Sequence, residues 1–434
     1  MGKPIRLCII GGGPLGIGLG RELNEGGIDY DLYESEADFG GVWNGDGKCG
    51  RVYPSLHLIS PKFNTQVPDF PMPDDYPVYP NHKMMLDYMR SYARAFGVYE
   101  KAKFNTTVTR ITPVNNGEEW DVELSTGDKQ RYTFVAVCNG AQRKPHYPKP
   151  VSGVFTGEVI HSIHYKHPDQ IRDKRVLVIG AGNSGCDIAV DAVHHSSAVY
   201  HSTRRGYYYY PKFIGGKATP QWMLQLGNKF SSKEETMAYI QQVFKLAGFD
   251  GADYGLEKPD YPIDAAHPIM NSQILYHIGH GDIHPKKDVT AFEGKTVFFK
   301  DGSKAEVDMI IYATGYERDF PFLDASYLEW KSGLPDLFIH IMPRHFDNLF
   351  FFGFVNAAAG LGDGLRLQGQ FMRSYISAYR DKTVGYAKFQ QAKRSENPDL
   401  GQDYYIDSRR HLWEVDFWKF LKCARAYRDM LDER

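Results

Sequence analysis

The chain has 434 residues, of which 42% are hydrophobic and 24% are charged, and its net charge at neutral pH is −2. These values are ordinary for a globular protein of two or three domains, and the near-neutral charge gives no reason to expect nucleic acid or an anionic membrane as a partner. No apolar run approaches the roughly 20 residues of a membrane-spanning helix, and the chain enters a strand too early for a signal peptide, so we expect a cytoplasmic protein.

The first predicted element is a strand at residues 5–10 that runs directly into a glycine-rich turn. The turn has the pattern GxGxxG, formed by Gly11, Gly13 and Gly16, and a helix-compatible stretch follows it. Glycines at these positions permit a tight turn, let a diphosphate approach the backbone, and let the helix pack closely on the strand. The helix N-terminus offers free N–H groups to the phosphates. The stretch therefore predicts a dinucleotide site.

The next predicted strand, YDLYE, ends on Glu34, which lies 18 residues beyond Gly16. A carboxylate at this distance can accept hydrogen bonds from the hydroxyls of an unmodified ribose. We therefore expect the first turn to hold a dinucleotide with free ribose hydroxyls, such as FAD.

Short alternating strands are predicted over residues 107–140, with turn pairs at Asn116-Gly117 and Thr126-Gly127. Three histidines follow at a spacing of three, from residue 161 to residue 167. No cysteine accompanies them, so we expect a packing role in a linker for His161 rather than a metal site.

A second strand–turn–helix unit has the same glycine pattern, formed by Gly180, Gly182 and Gly185. Where the first unit has an acid, this unit has Arg204, with Arg205 beside it. A guanidinium cannot accept a hydrogen bond from a ribose hydroxyl, but it can bind a phosphate through two donors. We therefore expect the second turn to prefer a ribose with a 2′-phosphate, which means NADPH rather than NADH.

A second set of alternating strands, at residues 289–316, repeats the plan of the first half. The pattern predicts an α/β fold with two nested Rossmann-type dinucleotide-binding domains, as in two-domain disulfide reductases. We assign residues 1–168 and 300–434 to an FAD domain. An NADPH domain takes residues 169–299, with a helical insert at about 206–290. Two such sites would let a hydride pass between the cofactors.

Several aromatic residues have more than one interpretation. The run Tyr207–Tyr210 suits either a core strand or a wall of the active-site entrance. Possible lining residues in the insert are Trp222, Phe230, Phe244 and Phe249. A C-terminal helical stripe, which would pack on the body or on a second copy, is formed by Trp413, Phe417, Phe420, Leu421 and Ala424.

The five cysteines form no CxxC pair, which argues against a dithiol reductase of the same two-nucleotide architecture. We expect them to be small buried side chains in a reducing compartment. A redox-sensing protein that holds both cofactors without turnover remains an alternative.

These stretches resemble the flavin-containing monooxygenase family. The turns GGGPLG at 11–16 and GAGNSGCDIA at 180–189 are similar to its FAD and NADPH fingerprints. The pattern FxGxxxHxxxY, from Phe155 to Tyr165, is similar to its linker signature, and YATGY at 312–316 resembles a second hallmark. The resemblance extends over nearly the whole chain, with the motifs in family order.

The resemblance implies an NADPH- and O₂-dependent monooxygenase that acts through a C4a-hydroperoxyflavin on a soft nitrogen or sulfur atom of a small lipophilic substrate. It requires no catalytic side chain. Baeyer–Villiger oxidation of ketones is an alternative, although Tyr165 ends the linker signature where the Baeyer–Villiger form resembles one that ends in Trp. An uncoupled NADPH oxidase is another. A homodimer is possible.

The motifs and the resemblance together give a set of candidate cofactor-binding residues. They are Gly11, Gly13, Pro14, Leu15, Gly16, Glu34, Gly41, Val42, Trp43, Ile59, Ser60, Val108, Gly180, Gly182, Asn183, Ser184, Gly185, Asp187, Ser202, Thr203, Arg204, Arg205, Thr314 and Gly315.

The stretch SLHLISPK at 55–62 departs from the family pattern. The family often has Thr-Asn where this chain has Leu58 and Ile59, and the Asn side chain points at flavin and NADP⁺. Isoleucine offers no hydrogen bond, so protection of the oxygenated flavin is weakened or moves to Ser60, Lys62 or the backbone. We therefore predict more hydrogen peroxide leakage than in a relative with Asn.

Overall fold

The computed structural model describes residues 5–227, 229–356 and 358–434. Two five-stranded sheets, parallel throughout, organise the chain, and each leads into one of the two glycine turns. The helices are Pro14–Glu25, Lys62–Thr65, His82–Ala95, Asn183–Val193, Thr219–Leu226, Lys233–Leu246, Ile274–Gly279, Leu361–Asp381, Val384–Ser395 and Phe417–Leu431.

The first sheet is built around a fully buried apolar strand that precedes the first glycine turn. Its strand order is Leu349–Phe351, Phe134–Val137, Leu7–Ile10, Tyr30–Tyr33 and Ala102–Lys103. Strands buried on both faces read as continuous apolar runs, and LCII at its centre is one of them. The helix Pro14–Glu25 crosses from the central strand to its neighbour, as a parallel pair requires.

The second sheet repeats this plan. Its strand order is Glu158–His161, Met309–Tyr312, Arg175–Ile179, Ala198–Ser202 and Ile283–Lys286. In both sheets the strand before the glycine turn has two neighbours. One neighbour is the next strand along the chain, and the other is a later strand that follows an antiparallel meander. The predicted internal repeat and the two nested Rossmann-type units are therefore confirmed.

The remaining strands form smaller sheets. The meanders are Val108–Val114, Glu119–Leu124 and Lys129–Tyr132 in the first unit, and Val289–Gly294, Thr296–Phe299 and Lys304–Glu306 in the second, where Ser152–Phe155 adds a parallel strand. Two-residue strands pair as Lys144–Pro145 with Tyr316–Glu317, Tyr209–Tyr210 with Ile269–Met270, Phe213–Ile214 with Lys217–Ala218, Trp330–Lys331 with Leu334–Pro335, and Leu337–Phe338 with Met342–Pro343.

The strands of the second sheet extend beyond the residue range that the sequence predicts for the second unit. Glu158–His161 and Met309–Tyr312 both belong to the second sheet, although the range predicted for this unit is 169–299. The reason is that the linker strand and the return strand pair with each other and complete the sheet. The division into domains stays a prediction, with the strands of the second unit extending from 152 to 312.

The insert has an apolar core of its own. Its helices Thr219–Leu226 and Lys233–Leu246 pack around Tyr210, Phe244 and Met270. Possible cavity-lining residues predicted in this region were Trp222, Phe230, Phe244 and Phe249. None of them lines the large cavity described below, because they pack against one another and against neighbouring residues of the insert.

The C-terminal part closes the first unit. The helix Leu361–Asp381 packs so closely on Pro14–Glu25 that a Cβ on Gly18 would lie 2.2 Å from a methyl carbon of Leu365. The last helix, Phe417–Leu431, packs on Leu361–Asp381 through a buried stripe, as the sequence predicts for packing on the body. Trp413, expected in that stripe, lies before the helix and stacks on Arg318 instead.

The five cysteines are unpaired, and Cys8, Cys138 and Cys186 are buried as expected, whereas Cys49 and Cys423 are partly exposed. Within the described residues, no helix has both the length and the apolar character needed to cross a membrane.

Candidate nucleotide-binding cleft

The first glycine turn (residues 11–16) leaves no room for a side chain at its first and third motif glycines. Gly11 has φ = +110°, and a Cβ on it would lie 2.6 Å from the carbonyl oxygen of Cys138. A Cβ on Gly16 would lie 1.9 Å from the carbonyl oxygen of Gly11. The helix then begins at Pro14 without a side-chain cap, so the amides of its first turn are available to an anion.

A neighbouring loop, GGVWN at 40–44, completes the wall beside this turn. The amide of Gly40 donates to the carbonyl of Gly12 at 3.1 Å. A Cβ on Gly41 would lie 3.0 Å from the Cα of Gly13, so the two backbones are in contact. This contact brings Val42 and Trp43 to the cavity, as the sequence predicts for a loop at the first cofactor.

Glu34 lies at the carboxyl end of the neighbouring strand and is only 5% exposed. Its Oε2 accepts from the amide of Gly12 at 2.6 Å, and its Oε1 accepts from the amide of Glu36 at 2.9 Å. The carboxylate is thereby held rigidly at the cavity with lone pairs left for a ribose. The bond to Gly12 also ties this acid to the turn itself. Val108 lies nearby, buried in the cavity wall.

The second glycine turn (residues 180–185) repeats this geometry. Gly180 has φ = +123°, with the carbonyl oxygen of Ala313 2.4 Å from a Cβ placed on it, and a Cβ on Gly185 would lie 1.9 Å from the carbonyl oxygen of Gly180. His201 donates from Nε2 to the same Gly180 carbonyl at 2.9 Å. Burial lowers the pKa of His201, which keeps the imidazole neutral in this role.

Two side chains after this turn have partners within the protein. The Asn183 amide bonds the carbonyl of Pro268 at 3.1 Å and the amide of Met270 at 2.8 Å, so it fastens the helix N-terminus to the insert. Asn271 donates to Asp187 at 2.7 Å. Burial raises the pKa of Asp187, which lines the cavity. Ser184 is exposed to the same cavity.

Arg204 and Arg205 follow the strand Ala198–Ser202, and both line the cavity. Arg204 is exposed and makes no hydrogen bond or ion pair with any residue that the structure describes, which leaves its guanidinium free for an anion. Ser202 lines the cavity but donates its hydroxyl to the carbonyl of Lys287 at 2.8 Å. Thr203 is 9% exposed and does not line the cavity.

Ile59 lines the cavity and packs its side chain against the apolar core of the insert. Ser60 pairs its hydroxyl with that of Thr65 at 2.7 Å. Lys62, considered as a replacement for the missing Asn, donates to the carbonyls of three residues in the 73–76 loop and does not line the cavity. Of the side chains proposed for that role, only Ser60 therefore reaches the cavity.

The linkers between the two sheets meet at His161, which is fully buried. Its Nε2 donates to the carbonyl of Gly315 at 3.0 Å, and its Nδ1 accepts from the amide of Ile163 at 3.2 Å. Burial lowers the pKa of His161 to about 4, so the ring is neutral. Thr314 donates its hydroxyl to the carbonyl of His146 at 2.5 Å. The packing role predicted for His161 thus includes a bond between the end of the strand Glu158–His161 and the segment that follows the strand Met309–Tyr312.

Both glycine turns open into one cavity of about 1740 Å³. Nearly all of the predicted cofactor-binding residues line it. The exceptions are Gly16, Gly185 and Thr203. Gly16 and Gly185 lie behind the turns, where they let the helix pack closely on the strand. This is the role expected for the third glycine of each motif.

Residues 4–384 match the model of the flavin-binding monooxygenase-like family. The chain is 33% identical to flavin-containing monooxygenase 1 of Sus scrofa over 359 residues, which are 78% of this chain and 67% of that protein. The chain belongs to this family. It is an NADPH-dependent flavin monooxygenase with FAD and NADPH as cofactors.

Solved structures share the fold of this flavin monooxygenase. S-allyl-L-cysteine S-oxygenase from Allium sativum has a TM-score of 0.63 and 20% identity, covering 99% of this chain and 95% of its own. Cyclohexanone monooxygenase bound to ε-caprolactone has a TM-score of 0.72 and 16% identity, covering 98% of this chain and 97% of its own. At these identities the similarity concerns the fold alone.

The donor sets of the monooxygenase fit its two cofactors. Each turn has the glycine cradle and uncapped helix start that a diphosphate needs. The Glu34 carboxylate suits free ribose hydroxyls, and the Arg204 guanidinium suits a 2′-phosphate. The cavity is also large enough for more than one ligand of the usual size.

Three cavity or turn residues of the monooxygenase were missed by sequence reasoning. His201 supports the second turn from the next strand. Arg318 lies over the rings of Phe354 and Trp413, and burial lowers its pKa to about 9. Arg410 reaches the second turn from the C-terminal region. Arg318 and Arg410 act across long stretches of chain, so no local motif marks them, and His201 lies on the strand after the turn at a position for which the glycine motif specifies no residue.

Proposed function

We propose that the enzyme oxygenates a soft nitrogen or sulfur atom of a small lipophilic substrate in the cavity shared by the two glycine turns. The observation that carries this proposal is that both turns open into the same space, so two nucleotides bound there would have their reactive ends near each other. When bound, the flavin supplies the oxygen chemistry, with NADPH as the reductant and O₂ as co-substrate. The protein orients both cofactors and excludes water.

The first turn is proposed as the FAD site. Glu34 is buried, held by two backbone amides and faces the cavity. A fixed carboxylate at this point favours a ribose with free hydroxyls and repels a 2′-phosphate. The GGVWN loop at 40–44 closes on the turn from the opposite side, which suits the cofactor that remains bound throughout the cycle.

The second turn is proposed as the NADPH site. Arg204 has no partner among the described residues and lines the cavity at the end of the strand after the turn. A guanidinium there favours the 2′-phosphate of NADPH. Among the other predicted residues at this turn, Ser184, Asp187 and Arg205 line the cavity, whereas the side chains of Asn183 and Ser202 bond to neighbouring backbone groups.

Nitrogen or sulfur oxygenation is favoured over ketone oxidation by the linker. Tyr165 ends the linker signature, and its buried hydroxyl donates to Asp191 at 2.5 Å. This bond ties the linker to the helix Asn183–Val193 of the second unit. A Trp, as in the form that resembles Baeyer–Villiger enzymes, has only its indole N–H as a donor, at a different place on the ring.

The test is turnover of the FAD-loaded enzyme with NADPH in air, with N,N-dimethylaniline, thioanisole or cyclohexanone added separately. The N-oxide or the sulfoxide, formed at more than background rate, is the expected product. ε-Caprolactone as the only product would establish ketone oxidation instead. Hydrogen peroxide equal to the NADPH consumed in all three reactions would indicate an uncoupled oxidase.

A cytoplasmic location and a homodimer stay predictions. The unpaired cysteines support a reducing compartment. Light scattering of the purified protein would give its oligomeric state.

A further inference from the structure

The segment between the last two helices, residues 404–414, is named here the C-terminal strap. It lines the cavity and is tied to the insert on one side, where the amide of Ile406 donates to the carbonyl of Ala265 at 2.9 Å and His411 accepts from the amide of His267 at 3.0 Å. His267 also pairs with the buried Glu414 at 2.8 Å.

On the other side the strap is tied to the first unit. Glu414 accepts from Asn356 at 3.0 Å, and Arg409 pairs with Glu317 at 3.0 Å. The strap is therefore bonded to the insert and to the first unit. These bonds fix the position of its backbone at Arg410.

That residue, Arg410, points its guanidinium at the second glycine turn. Its Nη1 would lie 2.7 Å from a Cβ on Gly182, so the guanidinium is in contact with the turn at the residue that caps the helix Asn183–Val193. The side chain is open to the cavity and makes no hydrogen bond or ion pair with any described residue. Protein around the cavity lowers its pKa through burial, and Glu414 opposes that shift.

An unpaired guanidinium with five donors, placed against an uncapped helix N-terminus, is suited to a doubly charged anion. At the corresponding glycine of the first turn, Gly13, no guanidinium of the described residues is in contact, since a Cβ there would meet only the Cα of Gly41, at 3.8 Å. We propose that Arg410 binds the diphosphate of NADPH at the second turn from the strap, opposite the helix N-terminus. This inference rests on the proposal that the second turn is the NADPH site.

The proposal gives Arg204 and Arg410 different phosphates. Arg410 would contact the diphosphate, which NADP⁺ and NAD⁺ share, whereas Arg204 would contact the 2′-phosphate, which only NADP⁺ carries. Their variants should therefore differ in which nucleotide they affect. This difference separates a guanidinium on the diphosphate from a general loss of positive charge in the cavity.

The experiment is calorimetric titration of oxidised, FAD-loaded enzyme with NADP⁺ and with NAD⁺, so that no turnover is needed. Arg410→Ala should raise the Kd for both nucleotides by a similar factor, about 10- to 100-fold, with partial recovery in Arg410→Lys. Arg204→Ala should raise the Kd for NADP⁺ alone. Arg409→Ala removes only the exposed ion pair to Glu317 and leaves the other ties of the strap in place, so both values should stay within about twofold of wild type.

Unchanged or tighter binding in Arg410→Ala would overturn the proposal, because the side chain would then only fill the site when no nucleotide is bound. An effect on NADP⁺ alone would overturn it in favour of a 2′-phosphate contact. Equal weakening in Arg409→Ala would mean that the strap, not the guanidinium, matters. If the wild-type enzyme bound neither nucleotide, the NADPH assignment of the second turn would itself fail.

Discussion

In both glycine turns a Cβ on the third glycine would come within 1.9 Å of the carbonyl oxygen of the first. The side chains around the two turns are nevertheless opposite in charge. Glu34 is bonded to the backbone of the first turn, whereas Arg204 and Arg410 lie beside the second without a hydrogen bond or ion pair to any described residue. The comparison teaches that the shared backbone suits a diphosphate and that the surrounding charges decide which nucleotide each turn accepts.

The strongest way to break the comparison is to add one methyl group to each turn. Gly16→Ala and Gly185→Ala create the same clash with a carbonyl oxygen. Because such overpacking costs about 1–3 kcal/mol, we expect cofactor binding to weaken by roughly 10- to 100-fold at the altered turn only. Flavin absorbance per chain reports the first turn, and titration with NADP⁺ reports the second.

Each glycine variant serves as the control for the other. The assignments would be wrong if Gly185→Ala lost its flavin while Gly16→Ala kept it. Thermal unfolding in the presence of excess FAD would show that both variants still fold.

A smaller effect is expected from Glu34→Gln. The amide cannot present two acceptor oxygens, so either the Gly12 amide or a ribose hydroxyl loses a charged partner. We expect FAD binding to the apoprotein to weaken by about tenfold, measured by quenching of flavin fluorescence, with no change for NADP⁺. An equal loss at both sites would show that Glu34 supports the fold and not the first site.

Acidification should affect the second site before the first. His411 accepts the His267 amide at Nε2, and burial lowers the pKa of His411 to about 4. Arg410, His267 and Arg205 also disfavour its charged form, while Glu414 favours it. The neutral ring stabilises the strap fully above the unfolded value of about 6.5, and this contribution is lost as pH falls toward 4.

We therefore expect the affinity for NADP⁺ to fall several-fold between pH 6.5 and pH 5 while FAD stays bound. His411→Gln keeps an acceptor for the His267 amide without titrating, so its NADP⁺ affinity should change less over this range. A profile identical to that of wild type would show that another group titrates.

The smallest expected effect concerns Ile59, which lies in the wall of the cavity that the two turns share. Ile59→Asn adds the amide that this position lacks, so the fraction of NADPH oxidised that appears as hydrogen peroxide should fall. Peroxide assay beside NADPH consumption measures that fraction, with Ile59→Leu as the apolar control. If the fraction were the same in Ile59→Asn and in wild type, the missing amide would not be the cause of leakage.

The features that could be predicted from the sequence are local ones. Gly11, Gly13 and Gly16 lie within six residues, and Glu34 follows after one helix and one strand, so spacing alone relates them. Arg204 was found by the same spacing at the second turn. The repeated strand order could also be predicted, because in each unit the strand after the meander returns to the sheet of that unit.

The features that could not be predicted depend on contacts across the chain. Arg410 reaches Gly182, and Glu414 reaches His267, over stretches for which periodicity says nothing about proximity. In the insert, Trp222 and Phe244 were expected as possible cavity walls but pack in its core, because apolar aromatics suit both places equally well.

The most direct test of two differently charged turns in one cavity is anaerobic reduction of the bound flavin by NADPH and by NADH, in wild type and in Arg204→Ala. Wild type should be reduced far faster by NADPH at equal subsaturating concentration, and Arg204→Ala should lose about 10- to 100-fold of that preference while keeping its FAD. Flavin that NADPH cannot reduce, or a preference unchanged in Arg204→Ala, would contradict the account.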